Sequence, residues 1–158
     1  MSSGSGAPGD RPAHRFVYMR DPQPIANILN YHAHIYYDAT SSRDRAELLR
    51  REIGERFLVR IGAWHDAPVG PHPVSMFQVA FDVQVFETFV PWLMLNRRDL
   101  TVLVHPNTDN PRDDHLIHGL WLGDPLPLDA TDLPVSLYAV GERIPPVEPN
   151  TAPPFRPA

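Results

Sequence analysis

His32 and His34 stand two residues apart in Tyr31-His-Ala-His-Ile-Tyr-Tyr37, a run rich in β-formers. On a strand both rings leave the same face, with Cα atoms roughly 7 Å apart, close enough to reach one ion. His72 lies between Pro71 and Pro73, which restrict the backbone around it. His105 closes the apolar run Leu100-Thr-Val-Leu-Val-His105 and precedes Pro106, and His115 follows in Asp113-Asp114-His115-Leu-Ile-His118. Each of these, taken alone, reads as an ordinary surface or strand-end histidine. Together they are nitrogen donors in a chain without cysteine, so a bound metal has to be held by imidazole and carboxylate. Neutral imidazoles suit Fe, Zn, Cu or Ni and do not favour Mg or Ca.

Other chemistries lack their residues. There is no Gly-rich phosphate loop, no Gly-x-Ser-x-Gly elbow and no His-Glu-x-x-His pattern. Without cysteine there are no disulfides and no thiolate nucleophile. The net charge is −5 and no Lys/Arg-dense run occurs, which argues against a nucleic-acid or anionic-membrane partner. No apolar stretch approaches the roughly 20 residues that cross a bilayer. The N-terminus has no secretory pattern, so the expected compartment is the cytoplasm.

A chain of 158 residues holds one domain with a real core. Pro, Gly and Ser concentrate at both ends, so 1–24 and 141–158 are expected to be tails around a domain over 25–140. Within it, Tyr31–Tyr37 reads as strand one, with Ala33, Ile35 and Tyr37 on one face and His32, His34 and Tyr36 on the other. Thr40, Ser41 or Ser42 can cap a helix from Arg43 to Arg56, whose Ala46, Leu49, Ile53 and Phe57 keep helical spacing. Arg56–Ala63 is expected as strand two. Ser75–Phe81 is expected as strand three, with Phe77, Val79 and Phe81 on one side. A helix capped by Asp82 then reaches Asn96 or Arg98, kinked or started late by Pro91. Leu100–His105 is strand four, ended by Pro106. This β-α-β-β-α-β order predicts an α+β fold of the ferredoxin-like split βαβ type, its helices on one sheet face. With strands one and three parallel, and strand four antiparallel beside strand one, one corner would gather His32, His34, His72 and His105. Tyr36, on the same open face, is the aromatic expected to touch a substrate. His65 could line the site, while His14 falls in the N-terminal tail.

The motifs His32-Ala-His34-Ile-Tyr-Tyr37, Val69-Gly-Pro-His72-Pro73, Phe89-Val-Pro-Trp-Leu-Met-Leu-Asn-Arg97 and Val102-Leu-Val-His105-Pro106 occur in that order. Asp114-His115 and Leu120-Trp-Leu-Gly123 follow. In this combination the chain resembles the DOPA 4,5-dioxygenase family of fungi and bacteria, over about 27–128. The resemblance implies a ferredoxin-like fold, often paired as a homodimer, and extradiol cleavage of DOPA or a related catechol with dioxygen. It also implies that the His-X-His pair, His72 and His105 belong to the active site, and that Asp114-His115 matches a further family position. His118 has no counterpart in it. The expectation is therefore Fe(II), with zinc or nickel able to occupy the same site, held by three of His32, His34, His72 and His105. His32 and His115 are the acid–base candidates. Two rivals keep the fold: a metal-independent aromatic monooxygenase and a non-catalytic zinc-binding dimer module.

Overall fold

The computed structural model describes residues 21–154, so His14 and most of the expected N-terminal tail lie outside the described residues. Strands β1 (Asn30–Tyr36), β2 (Arg60–His65), β3 (Met76–Asp82), β4 (Val102–Asn107) and β5 (Leu120–Leu122) form one sheet in the order β2-β3-β1-β4-β5. Helices α1 (Arg43–Arg56), α2 (Phe86–Asn96) and α3 (Pro111–Leu116) complete an α+β, ferredoxin-like arrangement. Among the described residues no helix is long and apolar enough to cross a membrane.

Alternation along the strands sorts the side chains as the sequence predicts. Ala33, Ile35, Phe77, Val79, Phe81, Val102 and Val104 are buried with Leu49, Ile53, Phe89 and Leu93 of α1 and α2 in the main core. Burial of an aliphatic or Phe side chain of this kind stabilises by about 1.5–3 kcal/mol, which is why the helices lie on that face. The opposite face has only a small apolar cluster around Tyr36, Met76 and Leu103. The rest of it is left for polar groups.

Several boundaries shift. Helix α1 holds through Arg56, so β2 begins at Arg60. Ser42 occupies the N-cap position without a side-chain capping bond; its hydroxyl instead accepts from Asp38 N at 2.8 Å. A 3-10 turn over Val83–Val85 delays α2 to Phe86, and Pro91 sits inside that helix on its exposed side. There its missing N–H and its ring meet solvent rather than a packed neighbour. Strand β4 continues through Pro106 to Asn107.

One correction changes how the site is assembled. β1 and β3 are antiparallel, with Asn30 opposite Asp82 and Tyr36 opposite Met76. In the split βαβ plan each crossover helix returns the chain parallel to its starting strand, so β2 parallels β1 and the β2–β3 hairpin reverses it. The entry to β3 therefore lies at the far end of β1 from Asn30. The start of β1 does meet the end of β4, with His32 opposite His105. His72 arrives by another route: a tight turn at Gly70, whose φ is +53°, pairs Val69 with His72 through N–H···O bonds of 3.2 and 3.0 Å. That turn brings His72 onto the open face near His34 and Tyr36.

Beyond the expected elements, α3 follows β4 and β5 extends the sheet past it. Gly119 permits the turn between them, since a Cβ there would lie 2.8 Å from Leu103 Cδ1.

The segment read as a C-terminal tail is bonded to the domain. Asn150 N donates to Val59 O at 3.0 Å, and its side-chain amide pairs with both Ile61 N (2.8 Å) and Ile61 O (2.9 Å). The amide thus imitates a neighbouring strand along the outer edge of β2, an edge that would otherwise invite intermolecular pairing. Asn150→Ala is expected to lower stability by about 1–2 kcal/mol and to raise self-association. Thermal melts with light scattering measure both, and unchanged values would show that the edge needs no cover.

Candidate metal centre

Because Ala33 and Ile35 face the core, β1 turns His32, His34 and Tyr36 to the open side. Antiparallel pairing sets His105 against β1, and His34 Nε2 comes within 3.0 Å of His105 Nε2. The Gly70 turn brings the His72 ring to 4.0 Å from that of His34, between centroids. Helix α3 adds His115, with ring centroids 4.0 Å from His105 and 5.8 Å from His34. Five imidazoles from four segments share one site.

Within it, the ligand atoms of His32, His34 and His105 all lie within 4.8 Å of one another, as do those of His34, His72 and His115. His34 belongs to both groups. Two of the rings are held in defined tautomers. A carbonyl can only accept, so His105 Nδ1–H donates to Pro106 O and His115 Nδ1–H donates to Pro111 O, each at 2.8 Å. Both therefore direct a bare Nε2 away from those bonds, the arrangement typical of metal-binding histidines.

The metal fits these residues on two further observations. His34 Nδ1 is buried without a hydrogen-bond partner, a deficit that a cation bound to that nitrogen would remove. The 3.0 Å between His34 and His105 nitrogens also matches two neighbouring ligands at right angles on one ion, with bonds of about 2.1 Å.

Burial keeps the cluster uncharged. Desolvation, and then repulsion from His115, lowers the pKa of His32 and of His72 to about 4. Desolvation also holds His34 and His105 well below the ordinary histidine value, with neighbouring rings adding to the effect. His115 is lowered by desolvation against the opposing pull of Pro111 O.

Tyr36 takes a different place from the one expected of it. It is 3% exposed, stacks on Trp121 at 5.9 Å, and bonds His72 Nδ1 through its hydroxyl at 2.7 Å. It stands behind His72, outside the cavity wall. Asp114, 1% exposed, accepts from Thr108 N and Oγ1 at 2.7 and 2.8 Å and so holds the β4–α3 loop that delivers His115.

The cavity over the cluster is about 340 Å³ and is lined by His32, His34, His72 and His115, with Gln78 and Asn107 among its polar groups. A single aromatic ring fits that volume. A second, apolar cavity of about 460 Å³ is bounded by Tyr31, Phe86 and Val104, with His105 and His118 at its wall. His118 thus stands apart from the cluster, and the convergent polar groups mark the first cavity as the chemical one.

The closeness of His115 to the other rings was not evident in strand periodicity. A signal existed: Asn110-Pro111 is a helix start, with Asn110 Oδ1 accepting from Asp113 N at 3.0 Å. That start places His115 one turn later. The contribution of Glu142, Arg143, Ile144 and Pro145 to the cavity wall was masked by their tail-like composition.

The model described as the Dopa 4,5-dioxygenase family matches residues 31–132. An uncharacterised 21.2 kDa protein of Botryotinia fuckeliana is 39% identical over 113 residues, covering 63% of this chain and 60% of that protein. A DOPA 4,5-dioxygenase of Amanita muscaria is 30% identical over 118 residues, covering 70% of this chain and 52% of the relative. The chain thus spans about half to three-fifths of the curated relatives it matches. A crystal structure of a proposed dioxygenase from Nostoc punctiforme has 48% identity and a TM-score of 0.66, covering 68% of this chain and 92% of that one.

Proposed function

The chain belongs to the Dopa 4,5-dioxygenase family, and on that premise we propose that it opens the ring of a catechol beside its diol, using dioxygen and a non-haem Fe(II). The observation that carries this reading is the convergence of five neutral imidazoles in two ligand-sized groups, four of them lining a cavity sized for one ring.

In this reading His32, His34 and His105 hold the metal, because His34 and His105 make the 3.0 Å approach and His105 presents a bare Nε2. Bound Fe(II) would supply an electron path between catechol and dioxygen, a path closed to Zn²⁺. The protein's own groups do the rest. The cavity holds the ring against the imidazole floor. His115, fixed through Nδ1 on Pro111 O, receives a catechol hydroxyl proton at Nε2 and later returns it to the departing oxygen. Its depressed pKa keeps that nitrogen bare at neutral pH. His72, braced by Tyr36, orients the second hydroxyl. Both atoms of dioxygen enter the product, a muconic semialdehyde.

The test is anaerobic reconstitution with Fe(II), followed by oxygen uptake with a panel of catechols. One dioxygen consumed per catechol, with a yellow product, is expected. Fully iron-loaded protein that consumes no oxygen with any catechol would falsify the reading.

A further inference from the structure

Part of the cavity wall, Glu142 to Pro145, comes from a segment outside the residues matched by the family model, and it carries one charge of a kind the histidines lack. Among the described residues lining the cavity, Arg143 is the one Lys or Arg. It also lines an adjoining cavity of about 370 Å³, and the two share Thr108, Leu137 and Glu142–Ile144. The arginine therefore stands where a substituent leaving the catechol ring would pass from the first cavity into the second.

Its position is built rather than incidental. Asp109 Oδ2 accepts from Ser136 Oγ at 2.7 Å, Asp109 Oδ1 from Tyr138 N at 2.8 Å, and Asp109 O from Leu137 N at 2.8 Å. Glu142 N closes the turn onto Leu137 O at 2.9 Å. The Arg143 guanidinium then lies 4.7 Å from the Tyr138 ring centroid and donates one bond, to Glu142 O at 2.7 Å. Stacking on an aromatic face orients the guanidinium plane. Among the described residues no ion pair claims its remaining donors.

We propose that Arg143 is a specificity-determining residue that binds a carboxylate on the substrate's ring substituent, so that the chain selects anionic-armed aromatics over neutral ones. A guanidinium fork matches a carboxylate in geometry and charge. Glu142 and Asp114 line the same cavity, and Asp109, whose carboxyl Arg143 helps hold below its ordinary pKa, lines the adjoining one; these carboxylates oppose the anion, so the preference is modest, about fivefold to tenfold. The inference rests on the catechol reading for its substrate, but its first test does not.

That test uses metal-free full-length protein and two ligands without a diol: hydrocinnamate, a phenyl ring on a carboxylate arm, and the corresponding alcohol. Isothermal titration is expected to show the acid binding at least about fivefold tighter, a preference that weakens with salt. Arg143→Gln should reduce it to less than about twofold, and Arg143→Lys should keep part of it, with circular dichroism confirming that both variants fold. In the iron-loaded protein, the ratio of kcat/KM for dihydrocaffeate over methylcatechol should fall by a similar factor in Arg143→Gln, chiefly through KM. Equal affinities in the unmodified protein, no measurable binding of the acid, or a preference that survives Arg143→Gln overturns the proposal. Absent oxygen uptake with every catechol would sink the dioxygenase reading and leave the anion preference standing.

Discussion

Replacing His34 by alanine is expected to empty the metal site and abolish turnover, the largest effect any single substitution here should produce. His34 is common to both ligand-sized groups, so its loss breaks whichever set holds the ion. Removing a residue that merely supports a ligand weakens metal binding about 10-fold to 100-fold, and removal of a ligand should exceed that. His105→Ala should behave the same way, since the close His34–His105 approach disappears with either ring. The contrast lies in the neighbours. His115→Ala should retain metal while slowing turnover by about 10² to 10⁴. Tyr36→Phe, which removes only the hydroxyl bonded to His72, should retain metal and lose about tenfold in rate. Metal content by mass spectrometry, measured beside oxygen uptake for each variant, separates these roles. Were His72→Ala and His115→Ala to lose the metal while His105→Ala stayed loaded, the ligands would be His34, His72 and His115, and the roles proposed above would exchange.

The metal-free protein should lose stability steeply on mild acidification. Unfolded histidines titrate near 6.5, whereas burial holds His32 and His72 at about 4 and keeps His34 and His105 well below the ordinary value. Unfolding therefore takes up protons between about pH 4 and pH 6.5. The stability associated with these neutral rings is complete above that pH and drains away as the pH falls toward 4. At pH 5 His32 and His72 each account for about 2 kcal/mol in favour of unfolding, and His34 and His105 act in the same direction. Allowing for the partial exposure of His32, the four together should lower Tm by at least about 10 °C between pH 7.5 and pH 5. Calorimetry on chelator-treated protein across that range tests this. A flat Tm would mean that the rings are protonated or solvated in the native state, and the dry cluster described above would be wrong.

Much of the scaffold was legible because its signals are local. Helix α1 from Arg43 to Arg56 follows from one apolar stripe, and the same four residues, Ala46, Leu49, Ile53 and Phe57, are buried. The two faces of β1 follow from strict alternation. Less legible were features that depend on what an element meets. Pro106 reads as a strand stop, yet β4 passes through it, opposite Tyr31. The stretch over 141–154 looks too polar and proline-rich to hold a structure of its own, and alone it has no sheet edge to bond to. Asn150 and Thr151 find their partners only once β2 exists: Thr151 Oγ1 accepts from Val59 N at 2.9 Å.

By itself, the sequence determined which chemistry was available: histidines without cysteine, a family's motifs in order, and a strand that must put His32 and His34 on the face away from its apolar residues. Period and composition act between neighbours in the chain, and they decide such things without the fold. Only the tertiary structure decided which distant rings meet. β1 and β3 run antiparallel, so register alone would have left His72 at the far end of the strand, and the Gly70 turn returns it to the cluster. A short helix after β4 adds His115, and Tyr36 is drawn behind His72. These outcomes depend on loop closure and burial across long separations, where no repeating pattern in the chain records the partner.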